Sequence, residues 1–480
     1  MHLHSLFWYG VILFLLSLYY TRILGNTWTV GLAILLFALD SAHCMPVVWL
    51  ANRNSLIATC FGVGAMLLHD HWRKDGFTPG CILAPMLLGL SLLSAEFGIG
   101  TCAYLFAYVV FIDKKGTLSK VFSLLPYAII TLLWWTMYHL LGYGSTGSGT
   151  YIDPGHEPLR FLGAFVERLP ILLHGQIGLF GANVYRFLPL KFSMIFWCIT
   201  VVILTLLFML LLPLLKSNNV ARFWGLGMIV SLFPVTVGMP DGRLLLLAGI
   251  GGMGLLAQLF SAWFEKSAVY FQTPAFHIFR RIVVYLLIIV HLIIAPIYKV
   301  SGAQFYQGLR PIIDIPAADP ILTPDHQHQV VIVLNTPGSF LFFHYTIVKI
   351  FNQHHHITPY RALANAESRL RILRRDERTL DIFAENGFYS DIFWDLHFRD
   401  PHLIMPIGHQ VTTNGMNATV LSLTEHKRPQ HVRFEFDHPL ENSGYKFLYW
   451  NVDHYDRYQL PAIGQANYIE KFNFLDLGLE

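Results

Sequence analysis

The sequence predicts a polytopic α-helical membrane protein with about ten transmembrane helices, followed by a C-terminal β-rich domain outside the cytoplasm. Of its 480 residues, 54% are hydrophobic and only 13% are charged, about half the charge of a typical soluble domain. Residues 1–300 contain 18 Lys and Arg against 10 Asp and Glu, whereas residues 301–480 contain 15 against 20. This division predicts a membrane domain over 1–300 and an aqueous domain over 301–480. A net charge of +3 lacks the basic excess of a nucleic-acid binder, so we expect no nucleic-acid partner.

A helix that spans a membrane needs about 20 largely apolar residues. Ten stretches of the chain have this character, although several are short. They are roughly residues 5–20, 28–43, 55–70, 81–97, 99–112, 121–141, 192–214, 222–239, 243–263 and 281–299.

Lysines and arginines in short loops mark the cytoplasmic side of a membrane protein. Here they occur in alternate loops, at Arg22, Arg73, Lys114–Lys120, Lys216–Arg222 and Lys266–Arg281. With ten spans, this pattern places both termini outside. The pattern therefore predicts an integral multi-pass protein, in contact with membrane lipids, whose C-terminal domain lies outside the cytoplasm. We expect the membrane to be a bacterial plasma (inner) membrane.

The long segment 142–190 is predicted to lie on the outer side. Apolar residues recur at helical spacing over Phe161–Leu173, which predicts a helix at the outer membrane interface. Beyond residue 300, short alternating or β-branched runs predict a β-rich fold, with one helix over Ser339–Phe351. The predicted strands are Gln329–Leu334, Leu370–Leu373, Thr379–Phe383, His431–Phe436 and Tyr445–Trp450.

Ionisable residues in the apolar half are candidates for function, because they are costly in a membrane unless they face a cavity or a partner. Asp40, His43, Arg53 and Glu96 qualify, and all four lie at outward helix ends. Three of them have a structural alternative: His43 as a hydrogen-bonded interfacial histidine, Arg53 as an anchor, and Arg53 and Glu96 as partners in an ion pair. Their grouping at one face argues against a transporter, whose polar residues belong near the middle of the membrane.

The run from Leu39 to Asn54 has His43, Pro46, Trp49 and Arg53 in the order H-x-x-P-V-x-W-x-x-x-R. We interpret it as a helix that leaves the membrane, bends at Pro46, lays Trp49 at the interface and presents Arg53. This run resembles the outer turn of GT-C type membrane glycosyltransferases, which include protein O-mannosyltransferase-like and lipid A sugar-transferase-like enzymes.

Two further segments carry the same resemblance. Residues 92–98 resemble the family's L-L-S-K-E-x-x helix end, with Ala95 in place of the usual basic residue, and residues 239–245 resemble its later R-x-L turn. The resemblance covers roughly residues 5–265. It implies a GT-C-like fold and transfer of a sugar from a polyprenyl-phosphate carrier outside the cytoplasm. The family's first outer loop, with its acidic residue, would precede residue 1, so we expect that the chain is shortened at its start.

The chemistry of this reaction selects residue types. A lipid phosphate needs a guanidinium near the interface, for which Arg53 and Arg243 are candidates. Activation of the acceptor needs a carboxylate or histidine, which predicts catalytic roles for Glu96, His43 and Asp40. Other candidates for substrate binding, by stacking on a sugar or bonding its hydroxyls, are Asp241, Tyr143, Tyr151, Asp153, His156 and Glu157.

We therefore expect a membrane glycosyltransferase that binds a polyprenyl-phosphate sugar and an acceptor of unknown identity. The alternative is a non-catalytic membrane scaffold or lipid-sugar binding protein of the same architecture. No cofactor is expected. The histidines at 326, 328 and 354–356 have no evident carboxylate or cysteine partner for a metal, and the Gly-rich loop at 142–157 has no Gly-Lys-Ser/Thr to make it a phosphate loop.

Overall fold

The structure, a computed structural model, describes residues 2–144, 148–186, 188, 190–265, 277–302, 304, 319–326, 329–338, 360–388, 400 and 403–472. The chain divides into two compact units. The first comprises residues 1–146 and 151–304, and the second comprises residues 147–150 and 305–480. The first unit is helical and the second is built on β-sheets.

The helical unit consists of long helices joined by short 3₁₀ turns. Its described helices are α1 (His2–Leu24), α2 (Trp28–Leu39), α3 (Cys44–Val48), α4 (Arg53–Asp75), α5 (Gly80–Ser94), α6 (Thr101–Phe111), α7 (Thr117–Leu140), α8 (Pro158–Ile177), α9 (Asn183–Arg186), α10 (Leu190–Ser217), α11 (Asn219–Ser231), α12 (Leu246–Phe264) and α13 (His277–Ile289). The 3₁₀ turns that matter below are Ser41–His43, Glu96–Gly100, Pro234–Val237 and Gly242–Leu245.

Six helices in the described part of the chain are long and apolar enough to cross a membrane. They are His2–Leu24, Thr117–Leu140, Phe192–Ser217, Asn219–Val237, Gly242–Phe264 and Ile278–Gly302. A seventh span results if Trp28–Leu39 and Ser41–Val48, which meet at an angle of 49°, are taken together. The prediction of a helical region with several helices long and apolar enough to span a membrane, followed by a separate C-terminal β-sheet region, is thus confirmed, but the count of ten spans is not.

The difference between ten predicted spans and the six or seven candidate spans has a physical reason. With 15 residues, α5 is about 22 Å long, and α6 has only 11 residues, so neither alone matches a hydrocarbon core of about 30 Å. The 23 residues of α4 are long enough, but its last two turns carry charged and polar side chains. The sequence prediction counted all three as full spans.

Helices α1 and α4 run parallel and are joined by polar contacts near both ends. At one end Arg53 Nε donates to Ser5 Oγ over 3.1 Å, and at the other end the guanidinium of Arg22 pairs with the carboxylate of Asp70. The 17 residues between Ser5 and Arg22 rise about 25 Å. Polar contacts therefore flank an apolar stretch close to the thickness of a bilayer's hydrocarbon core.

The interior of the helical unit centres on α12. Its glycines allow close helix packing: a Cβ atom on Gly251 would lie 2.4 Å from the carbonyl oxygen of Trp224. Tyr20 and Tyr104 donate hydrogen bonds to carbonyls of α12, at Ile250 and Leu247, each over 2.7 Å. This packing fixes α12 and the turn Gly242–Leu245 that begins it.

The second unit contains two sheets. Its strands are β1 (Val330–Thr336), β2 (Tyr360–Asn365), β3 (Leu370–Arg374), β4 (Thr379–Ala384), β5 (Gln410–Thr413), β6 (Met416–Leu423), β7 (Pro429–Phe436), β8 (Tyr445–Asn451), β9 (His454–Arg457) and β10 (Ala466–Ile469). One sheet has the order β2-β1-β8-β9, with β1 parallel to both neighbours, and the antiparallel sheet has the order β10-β3-β4-β7-β6-β5.

All five predicted strands are present, as β1, β3, β4, β7 and β8. Apolar side chains of both sheets, including Ile332 and Leu334 of β1 and Ile372 and Ile382 of β3 and β4, share one buried core. The sheets are therefore two layers over a common interior. The predicted helix Ser339–Phe351 and the histidines at 328 and 354–356 lie outside the described residues.

Candidate functional site

Four 3₁₀ turns carry or neighbour the predicted site residues. The turn Ser41–His43 packs against Gly242–Leu245, and the turn Glu96–Gly100 packs against Pro234–Val237. Helix α8 contacts both of the turns that precede α12. The structure therefore gathers segments that are up to 200 residues apart in sequence.

Asp40 and His43 lie in a buried polar cluster, which we define as Tyr9, Asp40, His43, Gln176 and Lys299. One carboxylate oxygen of Asp40 caps the backbone N–H of Ala42, and the other accepts from Gln176 Nε2 over 2.9 Å. His43 is fully buried, and its Nδ1 lies 2.9 Å from the carbonyl oxygen of Phe37. Both candidate catalytic groups are thus held by protein partners.

Lys299, in the helical segment that follows α13, completes the same cluster. Its ammonium donates to the carbonyl oxygen of Ala38 over 2.8 Å and to Tyr9 Oη over 3.2 Å. The cluster retains unused hydrogen-bonding capacity, because His43 Nε2 and Gln176 Oε1 have no hydrogen-bond partner among the described residues. His43 Nε2 lies 3.6 Å from Asp40 Oδ2, beyond hydrogen-bonding distance.

The bend expected at Pro46 occurs at Asp40 instead. Asp40 is extended and caps the turn that follows it, which breaks the helical path between α2 and α3. Pro46 lies inside the five-residue helix α3, in a first turn where its missing N–H costs nothing.

Arg243 lies over an aromatic ring beside this turn. Its guanidinium carbon is 5.2 Å from the centre of the Trp49 ring, and its Nε is 3.8 Å from the carboxylate of Asp241. Asp241 is buried, and its side chain caps the backbone N–H of Arg243 over 3.0 Å. The Arg243 side chain is 27% exposed, so this guanidinium is positioned by stacking and remains reachable.

Glu96 is exposed, and Tyr138 Oη donates to its carboxylate over 2.5 Å. The ring of Tyr138 lies 5.8 Å from the ring of Tyr143, which is 63% exposed. We call Glu96, Tyr138 and Tyr143 the Glu96 group. Within the described part of the chain, Glu96 forms no ion pair with Arg53, which contacts Ser5 on α1.

The remaining candidates lie in the loop before α8. Tyr151 approaches the turn before α12 so closely that a Cβ atom on Gly238 would lie 3.2 Å from its ring. Asp153 accepts hydrogen bonds from the backbone of Gly155 and from His156 Nδ1, each over 2.7 Å. The hydrogen bond from His156 is the main cause that lowers the pKa of Asp153.

Glu157 makes a local ion pair with Arg160, on the next turn of α8, over 2.9 Å. Helix α8 holds the segment before α12, because buried Arg168 donates to three successive carbonyls, at residues 236–238, and the loop is joined to this segment by the hydrogen bond from Ile152 N to the carbonyl of Val237. The predicted helix Phe161–Leu173 lies within α8. Tyr151 is thus the loop residue that packs against Gly238, in the segment before the Arg243 turn.

Sequence reasoning missed four members of these groups, Tyr9, Tyr138, Gln176 and Lys299. Tyr138 lies 42 residues from Glu96, and no motif marks it as a partner. No sequence motif marks Gln176 as a partner of Asp40 either. Lys299 had a usable signal, since it is an ammonium at the end of an otherwise apolar stretch.

No group of three or more His, Cys, Asp or Glu side chains among the described residues is placed to hold a metal ion. Comparisons of the chain with protein-family models, with curated proteins and with solved structures find no match. The site is therefore interpreted from its own geometry.

Proposed function

We propose that this chain is a GT-C-like membrane glycosyltransferase that takes a sugar from a polyprenyl-phosphate carrier and transfers it to an acceptor outside the cytoplasm. The observation that carries the proposal is a set of contacts within the helical unit. The turn that holds Glu96 packs against Pro234–Val237, and helix α8 contacts both Pro234–Val237 and the turn that holds Arg243. A carboxylate, a stacked guanidinium and exposed aromatic rings are the groups that such a reaction needs.

Arg243 is the group that we assign to the carrier phosphate. A guanidinium binds phosphate with two parallel hydrogen bonds, and the guanidinium carbon of Arg243 is positioned 5.2 Å from the centre of the Trp49 ring. The Nε atom of Arg243 has no hydrogen-bond partner among the described residues. That atom is buried and lies 3.8 Å from the carboxylate of Asp241, so we assign a bound phosphate to the terminal nitrogens of the guanidinium, and Arg53, on the first turn of α4, is a second candidate cation.

Glu96 is the group that we assign to acceptor activation. Its carboxylate is exposed and accepts one hydrogen bond from Tyr138, which leaves oxygen lone pairs for the hydroxyl proton of an acceptor. The exposed ring of Tyr143 offers a stacking surface for a sugar. Asp40 and His43 are buried among protein partners, so we assign them a positioning role beneath the turn Gly242–Leu245.

The test separates binding from turnover in the purified full chain. Binding of polyprenyl phosphate is measured by native mass spectrometry, and turnover in proteoliposomes is measured as release of polyprenyl phosphate from a panel of polyprenyl-phosphate sugars, with water or an added soluble alcohol as the acceptor of the sugar. Arg243→Ala should weaken binding by about 1.5 to 3 kcal/mol, the range for a lost charged hydrogen bond. Arg243→Lys should recover only part, because the planar fork is lost. Lys216→Ala, an exposed cation at the end of α10, is the matched control.

Glu96→Gln should retain binding but reduce turnover by about 10² to 10⁴, as expected for loss of a general base. Unchanged binding in Arg243→Ala would contradict the phosphate site. Wild-type binding without turnover of any donor would favour the non-catalytic, lipid-sugar binding alternative.

A further inference from the structure

A groove lies between α6 and α7. It has a volume of about 590 Å³, and its walls are almost entirely apolar, including Val110 of α6 and Leu125 and Ala128 of α7. Its polar members, Thr117 and Lys120, are both on the first turn of α7. The groove is therefore apolar along its length and basic at one end.

The length of the groove matches one leaflet of a bilayer. From Thr117 to Ala128 the helix rises about 17 Å, and half of a hydrocarbon core is about 15 Å. Helix α7 is one of the six candidate spans, and only two of its residues are buried within the protein. The groove thus opens onto a helix that faces lipid.

The basic end of the groove carries charge that the protein does not neutralise. The loop before α7 contains Lys114 and Lys115, and its carboxylate, Asp113, is engaged by Arg73 over 2.7 Å. Within the described part of the chain, the ammonium groups of Lys114, Lys115 and Lys120 have neither a hydrogen-bond nor an ion-pair partner. Three positive charges are therefore available within seven residues.

This end of the groove lies at the charged end of the α1–α4 pair. Arg73, which binds Asp113, is three residues from Asp70 on α4, and Asp70 pairs with Arg22 of α1. Charged side chains concentrate where helices meet the headgroup region. The groove consequently starts at the membrane boundary and extends toward the apolar middle.

We propose that this groove binds an anionic phospholipid. Its phosphate lies at Lys120, with Lys114 and Lys115 beside it, and one acyl chain lies along the groove over Leu125 and Ala128. Basic pockets between transmembrane helices suit anionic headgroups, and the apolar walls suit only the chain of a lipid. The site is separate from the turns that hold Glu96 and Arg243, so it does not depend on the proposed transferase activity.

The test measures lipids retained by the detergent-purified full chain in native mass spectrometry. We expect phosphatidylglycerol to bind at least tenfold more tightly than phosphatidylcholine of the same chain length. Replacing all three lysines (K114Q, K115Q and K120Q) should abolish this preference. The single change Lys120→Gln should weaken it several-fold, whereas Lys216→Gln, which removes an exposed lysine from the end of another candidate span, should not.

The acyl-chain part of the proposal has its own variant. Ala128 is exposed on α7, so Ala128→Trp fills the groove without entering the protein core and should reduce phosphatidylglycerol binding. Gel filtration and thermal unfolding establish that each variant is folded. Equal binding of both lipids, or a preference that survives loss of the three lysines, would overturn the proposal. Competition by inorganic phosphate together with no effect of Ala128→Trp would replace it with a site for free phosphate.

Discussion

Arg73 Nε donates a hydrogen bond to the carboxylate of Asp113 over 2.7 Å, and both side chains are buried. The pair ties the last turns of α4 to the loop between α6 and α7, and Arg73 also donates to Ser119 Oγ over 3.1 Å. Two buried charges stabilise a fold only as long as each has its partner. The helices around the groove therefore depend on this contact for their position.

Removal of one partner should be costly. Arg73→Met leaves the Asp113 carboxylate buried without its cation, and we expect the free energy of unfolding in mixed micelles to fall by about 3 to 5 kcal/mol. Adding Asp113→Leu should restore most of the loss, because the unpaired charge is gone. Lys115→Gln, at an unpartnered surface charge, should change the value by less than about 0.5 kcal/mol. Equal losses in the single and double variants would show that packing, and not charge, dominates here.

The helix bounds show what sequence reasoning could establish. The apolar count predicted a helix over residues 5–20, whereas α1 runs from His2 to Leu24. The extra turn contains Arg22, which remains helical because Asp70 of α4 neutralises it. An apolar count detects the bilayer but not a partner on another helix, so it ended the helix too early.

The candidate site was predicted only in part, because sequence reasoning does not detect partners that come from other helices. Motif spacing identified Glu96 and Arg243, but the groups that orient them, Tyr138 and the Trp49 ring, come from distant or unmarked positions. In the second unit, the sequence correctly predicted five strands from alternating or β-branched runs of residues. The strand β6 (Met416–Leu423) was missed although its polar residues Asn417 and Thr419 alternate with apolar ones.

Tyr138 provides a specific test of how Glu96 is oriented. Tyr138→Phe removes the hydrogen bond to the carboxylate but keeps the ring beside Tyr143. If the proposed reaction occurs, turnover should fall about tenfold, equivalent to one charged hydrogen bond, while polyprenyl-phosphate binding stays unchanged. Tyr298→Phe, at an exposed tyrosine, is the control for loss of a surface hydroxyl. A weaker binding constant without a change in turnover would instead place Tyr138 in the donor site.

The orientation of the helical unit can be tested with single cysteines. The alternate Lys and Arg loops predict that Lys114 faces the cytoplasm and His156 faces outward. After the five native cysteines are replaced by alanine, a membrane-impermeant thiol reagent should label His156→Cys in intact cells and Lys114→Cys only in inverted vesicles. Leu56→Cys, at a fully buried position, should react only after denaturation. The reverse labelling pattern would invert the predicted topology and place the Glu96 group in the cytoplasm.

Asp381 is a buried carboxylate on β4 of the second unit, and its charge should make local stability depend on pH. Arg433 Nε donates to it over 2.9 Å, and Arg375 also binds it. Burial alone would raise the pKa of Asp381, but hydrogen bonds from these two arginines hold it below its usual range. A carboxyl group with a lowered pKa contributes stability above its unfolded value of about 3.9, and this contribution disappears as the pH falls through the folded value.

Asp381→Asn should therefore weaken β4 and β7 by a constant amount between pH 8 and pH 5. We expect about 1.5 to 3 kcal/mol for the lost charged hydrogen bonds, measured in the full chain as faster hydrogen exchange of these strands after correction for the intrinsic rate. Below about pH 4 the difference from wild type should shrink, because the wild-type carboxylate then becomes protonated as well. Asp437→Asn, at an exposed position just beyond β7, should exchange like wild type throughout. A difference that persists undiminished at pH 3 would mean that Asp381 acts through its shape and not through its charge.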